Sequence, residues 1–129
     1  MDPISDMLTQ IRNAVVLRKA EVVLPYSKLK ESLATVFARQ GWISSFETVE
    51  KEKFKYLKLQ LKYTSDGDPA ISGLKRISKP GQRIYAKVSK IPRVKYGIGS
   101  TIISTSRGIM TESQARKEKL GGEVICQIW

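Results

Sequence analysis

The period of the apolar residues changes along this chain of 129 residues, and that change limits the fold more than any other feature. Ile4, Met7, Leu8, Ile11 and Val15 recur at three- and four-residue steps behind Asp2 and Pro3, which suit the N-cap and first-turn positions of an amphipathic helix. A short apolar run, Val22 to Leu24, ends at Pro25 and predicts a strand. Ser27 then suits an N-cap, Leu29, Leu33, Val36 and Phe37 form a second helical stripe, and Gly41 supplies a stop. Beyond Gly41 the period falls to two. Trp42 to Val49 has strand character and Glu50-Lys51-Glu52-Lys53 makes a turn. Leu57, Leu59, Leu61 and Tyr63 then alternate with Lys58, Gln60 and Lys62. Lysines on one side of such a strand mean a sheet with one wet face, so both helices are expected on the dry face.

Thr64 to Pro69, containing Asp66-Gly67-Asp68-Pro69, is rich in turn formers and is the best boundary candidate. Past it no helical stripe of comparable length returns. Pro80-Gly81, Pro92, Gly97, Gly99 and Gly108 punctuate short strand-like pieces: Ile71 to Ile77, Arg83 to Lys87, Ile98 to Ser104 and Glu123 to Trp129. Thr111, three residues before Gln114, fits a capping box for one short helix, with Gly121-Gly122 as its end. The expectation is an α+β fold in two parts. An N-terminal α/β domain, residues 1–64, runs helix-strand-helix-strand-strand, and residues 65–70 form a linker. A mainly β domain with one short helix, residues 71–129, packs against the first.

Charge separates the halves as well. Residues 1–64 hold eleven basic and seven acidic side chains, whereas residues 65–129 hold twelve and five. Between Asp68 and Glu112 no acid occurs, yet Lys75, Arg76, Lys79, Arg83, Lys87, Lys90, Arg93, Lys95 and Arg107 all do. A solvated face kept soluble by charge normally mixes both signs; a stretch of one sign attracts a polyanion.

Catalytic chemistry is poorly supplied. The chain has no histidine and one cysteine, so the commonest zinc ligands and the usual imidazole base are missing. Cys126 lies in register with Val124 and Ile128, which favours a core thiol over a nucleophile. Gly97-Ile98-Gly99 precedes a strand and lacks a following Gly-Lys-Ser/Thr, so a bend where backbones approach fits better than a phosphate cradle. No run reaches the roughly 18 apolar residues of a membrane span, and Met1-Asp2-Pro3 does not start a signal peptide. The expected protein is not an enzyme, takes no cofactor and no metal, has no membrane partner and stays where it is made.

Two constellations suit nucleic acid. From Leu74 to Tyr85, cations Lys75, Arg76, Lys79 and Arg83 flank the Pro80-Gly81 turn, while Leu74, Ile77, Ile84 and Tyr85 can pin the segment to a core. Tyr85 is open to two readings, a stacking platform for a base or a buried sheet tyrosine. Ser104-Thr105-Ser106-Arg107-Gly108 follows an apolar strand, and its three hydroxyls either read base edges and 2′-hydroxyls or cap their own turn. On charge alone, a freestanding RNA chaperone competes with a specific RNA binder.

The string from Gly97 through Ser104-Thr105-Ser106-Arg107-Gly108-Ile109-Met110-Thr111, then Ala115-Arg116, then Gly121-Gly122-Glu123, closely resembles the C-terminal signature of bacterial-type small-subunit ribosomal protein eight. Leu74 to Tyr85 resembles that family's basic segment, and Asp2-Pro3-Ile4, Asp6-Met7-Leu8 and Ile11-Arg12-Asn13-Ala14 resemble its first helix. The resemblance implies a primary rRNA-binding constituent of the small subunit that binds the central domain of its rRNA early in assembly, chiefly through the C-terminal half. Neighbouring small-subunit proteins and, in some members, the mRNA of its own operon are further implied partners. It implies a cytoplasmic ribosome, with an organelle stroma left open. Ser104, Thr105 and Ser106 match the family's recognition loop. Lys79, Pro80, Tyr85 and Glu123 carry over by position, although Lys79-Pro80-Gly81-Gln82 departs from the commoner Arg-Pro-Gly-Leu. Glu123 is the odd member, a carboxylate near RNA that either accepts from base amino groups, orients the hydroxyl loop, or merely starts a strand.

Overall fold

The computed structural model describes residues 2–94 and 99–129, and the chain divides into two compact units, residues 6–72 and residues 1–5 with 73–129. The fold is α+β, with antiparallel pairing throughout the described strands.

Helix α1 (Pro3–Val16) starts where the sequence places it. Asp2 Oδ1 accepts from the Ile4 N–H at 3.2 Å, and Asp2 Oδ2 accepts from the Ser5 hydroxyl at 2.6 Å, which satisfies donors that a helix start leaves open. Met7, Leu8, Ile11 and Ala14 are buried, whereas Val15 is only half-buried. Strand β1 (Glu21–Pro25) alternates exposed and buried residues. Helix α2 (Lys28–Arg39) is capped by Ser27, whose side chain accepts from the Lys30 N–H at 3.1 Å, and it ends at Gly41 with φ +81°. Leu29 does not join its apolar stripe. It is exposed, and Lys30 is buried in its stead, with Nζ donating to the Pro25 carbonyl at 3.1 Å. Lys30, Leu33, Ala34 and Phe37 stand at i, i+3, i+4 and i+7, so the phase of the helix puts the Lys30 stem on the buried face while its ammonium keeps a partner.

Strands β2 (Ile43–Lys51) and β3 (Phe54–Leu61) form a hairpin, and the sheet order is β1-β3-β2. Leu57, Leu59 and Leu61 are buried, with Lys58 and Gln60 between them half-exposed, as period two requires. The turn is tighter than the four polar residues suggest: Lys51 pairs with Phe54, so only Glu52 and Lys53 loop out. Tyr63 leaves the strand, and its hydroxyl donates to the Lys19 carbonyl at 2.6 Å.

The second unit is built on a sheet in which β8 (Gly122–Ile128) is flanked by β4 (Leu74–Arg76) and β5 (Tyr85–Ala86) on one side and β6 (Ser100–Thr105) on the other. Strand β7 (Gly108–Thr111) pairs with β6 beyond. The strand expected over Ile71 to Ile77 is regular only over three residues, although backbone hydrogen bonds continue beyond both of its ends, between Gly73 and Trp129 and from the Ile77 and Ser78 N–H groups to the Ile125 and Val124 carbonyls. The expected start of β6 at Ile98, like Gly97 and Lys95, lies outside the described residues. Gly99 does show the expected close approach, since a Cβ there would meet the Ile128 carbonyl oxygen at 2.4 Å.

Helix α3 (Glu112–Lys117) is capped by Thr111, whose hydroxyl accepts from the Gln114 N–H at 3.3 Å. The Gln114 side chain turns instead to Glu118, so only half of the capping box forms. The helix ends near Lys119, at φ +58°, and Gly121-Gly122 leads into β8 rather than stopping the helix. Ile91, Ile103, Met110 and Ala115 form a buried cluster with Ala86 and Leu120 against it. Each large apolar side chain fully buried this way contributes roughly 1.5–3 kcal/mol.

Candidate nucleic-acid interface

The basic segment is folded around a tight turn and clamped from below. Lys79 and Gln82 exchange two backbone hydrogen bonds of 2.9 Å, so Pro80 and Gly81 occupy the tip, with Lys79, Pro80 and Arg83 exposed. Ser78 is fully buried, its hydroxyl donating to Glu123 Oε2 and accepting from the Ile84 N–H at 3.1 Å. Arg83 Nη1 donates to the same Oε2 at 3.1 Å. The carboxylate of Glu123 therefore holds both arms of the basic turn. Its Oε1 has no partner among the described residues.

Across the sheet, Tyr85 pairs with Glu123 and Glu123 pairs with Ser104. Directly paired residues of antiparallel strands project to the same face, so three polar side chains from β5, β8 and β6 stand in one row. Tyr85 is 70% exposed, which removes the buried-tyrosine reading. The row depends on glycine: a Cβ on Gly122 would lie 2.0 Å from the Ser104 carbonyl oxygen, and one on Gly121 would lie 2.6 Å from that of Ala86. Beside Tyr85 these glycines leave an open recess of about 550 Å³, lined also by Ala86, Lys87 and Val88.

The hydroxyl loop is the tip of the β6–β7 hairpin, and its three hydroxyls divide. Thr105 Oγ1 accepts from the Arg107 N–H at 3.1 Å and donates to the Gly108 carbonyl at 2.8 Å, so it caps the turn. The hydroxyls of Ser104 and Ser106 make no hydrogen bond among the described residues. Arg107 reaches Glu118 at 3.4 Å and stays largely exposed.

Two neighbours in sequence separate in space. Lys75 is exposed on β4 opposite Gln127, roughly 13 Å along β8 from Glu123 at 3.3 Å per residue. Arg76 is 7% exposed and committed inside the unit, to Asp2 at 3.0 Å and to the Ile125 carbonyl at 2.7 Å. Burial works against ionised Asp2, but its hydrogen bonds from Ser5 and Arg76 overcome this and lower its pKa. Cys126 is fully buried, and desolvation pushes its thiol up to about 12 despite Arg76 nearby, as befits a core side chain. Among the described residues no group of three or more Asp, Glu or Cys is placed to hold a metal ion, and no helix is long and apolar enough to cross a membrane.

Three members of the site escaped the sequence reading. Ser78 was one polar residue among many, with its partner 45 positions away. Gly121 and Gly122 carried a signal, a doubled glycine, that points equally to a helix stop and to a close crossing of strands.

The chain is a ribosomal protein. It belongs to the ribosomal protein S8 family, whose profile matches residues 2–129. It is 49% identical over 128 residues to the small ribosomal subunit protein uS8 of Clostridioides difficile, covering 99% of this chain and 97% of the relative. With the protein of the same name from Caldanaerobacter subterraneus it shares 52% over the same length and coverage. The Halalkalibacterium halodurans protein stands at 48%, again with 99% and 97% covered.

Proposed function

We propose that this protein is a structural constituent of the small ribosomal subunit, working in the cytoplasm, that binds the central domain of small-subunit rRNA and supports assembly of the subunit for translation. Its role is to shape RNA, not to catalyse. The row Tyr85, Glu123, Ser104 carries the reading. A ring stands ready to stack on an unpaired base, Glu123 Oε1 is open to a base amino group, and the unbonded hydroxyls of Ser104 and Ser106 can both donate and accept. Lys79, Arg83 and Arg107 supply phosphate contacts around that row, and Lys75 a further one roughly 13 Å away along β8 at 3.3 Å per residue, which position the RNA but carry no sequence information. Arg76 supports this surface from within through Asp2, and Pro80 stands at the tip of the basic turn. Neighbouring small-subunit proteins are further partners, and an mRNA of its own operon that folds like the rRNA site would compete for the same surface.

Hydroxyl removal and charge removal should fail differently. Ser104→Ala with Ser106→Ala leaves net charge unchanged and removes two hydrogen-bonding groups, each contributing about 0.5–1.5 kcal/mol. Binding to a central-domain rRNA fragment should weaken about tenfold while a generic duplex is bound as before. Lys79→Ala should weaken both RNAs alike and flatten the salt dependence by about one unit or less. Filter binding across a salt series measures both. A double mutant that melts like the parent and keeps parental affinity for the cognate fragment removes the loop from the interface.

A further inference from the structure

Strand β1 is an edge of the first sheet, and its ladder with β3 settles which backbone groups face outward. The Leu61 N–H donates to the Ala20 carbonyl at 2.8 Å and the Tyr26 N–H donates to the Lys55 carbonyl at 3.0 Å. With Ala20 and Tyr26 bonded to β3, the alternation of an antiparallel pair gives Val22 and Leu24 the same orientation. Glu21 and Val23 therefore turn their N–H and C=O groups away from the sheet. None of these four groups meets a partner among the described residues. Pro25, next along, has no N–H, and its carbonyl already accepts from Lys30.

This open edge forms one wall of a groove of about 270 Å³ whose other wall is the second half of α1, with Gln10, Asn13 and Leu17. Its rim is apolar and wet: Leu17 is 67% exposed and Val23 51%. Its charge is specific. Glu21 is held by Lys58 at 3.3 Å and by Gln60 at 3.1 Å, whereas Lys19 makes no ion pair among the described residues.

We infer that the β1 edge is a docking site for an extended segment of another small-subunit protein, which adds to the sheet as a fourth strand. The segment exchanges backbone hydrogen bonds with Glu21 and Val23, lays apolar side chains on Leu17 and Val23, and carries a carboxylate to Lys19. Strand addition explains each observation: unpaired edge groups, apolar margins and one uncompensated cation. RNA fits poorly, because a phosphate backbone does not match alternating strand donors and acceptors and would meet exposed Leu17 and Glu21. The inference rests on the proposed place in the small subunit.

Amide hydrogen exchange tests it in three preparations: the free protein, the protein on small-subunit rRNA alone, and the subunit reconstituted with the remaining small-subunit proteins. The Glu21 and Val23 amides should exchange at least about tenfold slower only in the third, since protection requires the added strand. A photo-crosslinking side chain at Leu17 should then join a protein. Protection by rRNA alone, a cross-link to RNA, or no protection in a subunit that contains the chain overturns the docking site. Failure of the chain to bind the rRNA or enter the subunit overturns the functional reading, and this inference falls with it. Val23→Pro sharpens the test, because proline is tolerated where the N–H faces outward on an edge. The variant should bind rRNA as the parent does yet be retained about tenfold less in salt-washed subunits, as expected for losing one or two hydrogen bonds. Full retention counts against the edge.

Discussion

The β2–β3 and β6–β7 hairpins solve the same problem in opposite ways. In β2–β3 the loop residues Glu52 and Lys53 both take positive φ, +52° and +73°, the geometry that matches the twist of paired strands but normally calls for Asn-Gly. In β6–β7 the strained position falls on Gly108, φ +107°, leaving Ser106 and Arg107 with ordinary backbone while Thr105 ties the turn from inside. The first hairpin puts the conformational cost on two charged residues. The second places it on a glycine, while Thr105 fixes the backbone that carries Ser106 and Arg107. The two tips differ in where the unusual backbone geometry resides.

The largest effect should come from the floor of the second hairpin. Gly122→Ala drives a methyl into the Ser104 carbonyl, where a Cβ would lie at 2.0 Å, and should cost about 3 kcal/mol, read as a lower urea midpoint, because backbone cannot yield as a side-chain tip can. Gly108→Ala meets no atom within 4 Å but keeps φ +107°, so it should cost about 2 kcal/mol from conformation alone. If thermal melting shows Gly108→Ala as neutral, the contrast between the hairpins is not one of strain. The smallest change is a gain. Glu52→Asn with Lys53→Gly should stabilise the protein by about 1 kcal/mol by giving the β2–β3 turn the residues it calls for, with no change in rRNA affinity. Loss of affinity there would show that the first tip is also an RNA contact.

How much of this was legible beforehand depends on the reach of each signal. Helices α1 and α2 announced themselves through stripes and caps that lie within a few residues of one another, and so did the Pro80-Gly81 turn. Strand β7 did not, because Gly-Ile-Met-Thr is too short to show a period and starts with a residue that strands avoid. The row of Tyr85, Glu123 and Ser104 was not legible either: register across three strands is fixed by β8, and no local pattern records it. Lys75 and Arg76 looked equivalent in sequence, yet they part, since one is exposed on the strand and the other reaches Asp2, 74 positions away. Glu123, a carboxylate in a basic region by sequence, is explained by Ser78 and Arg83, which both donate to it.

The position of β8 imposes an order on the birth of the protein. It joins β4, β5 and β6, and each of them leaves the tunnel of the synthesising ribosome before it does. Until β8 emerges, Ser78 and Arg83 lack their carboxylate, Ser104 and Tyr85 have no common neighbour, and the face that would grip RNA does not exist. The row is thus not assembled piece by piece along the chain but completed in one step, when β8 joins the strands that precede it.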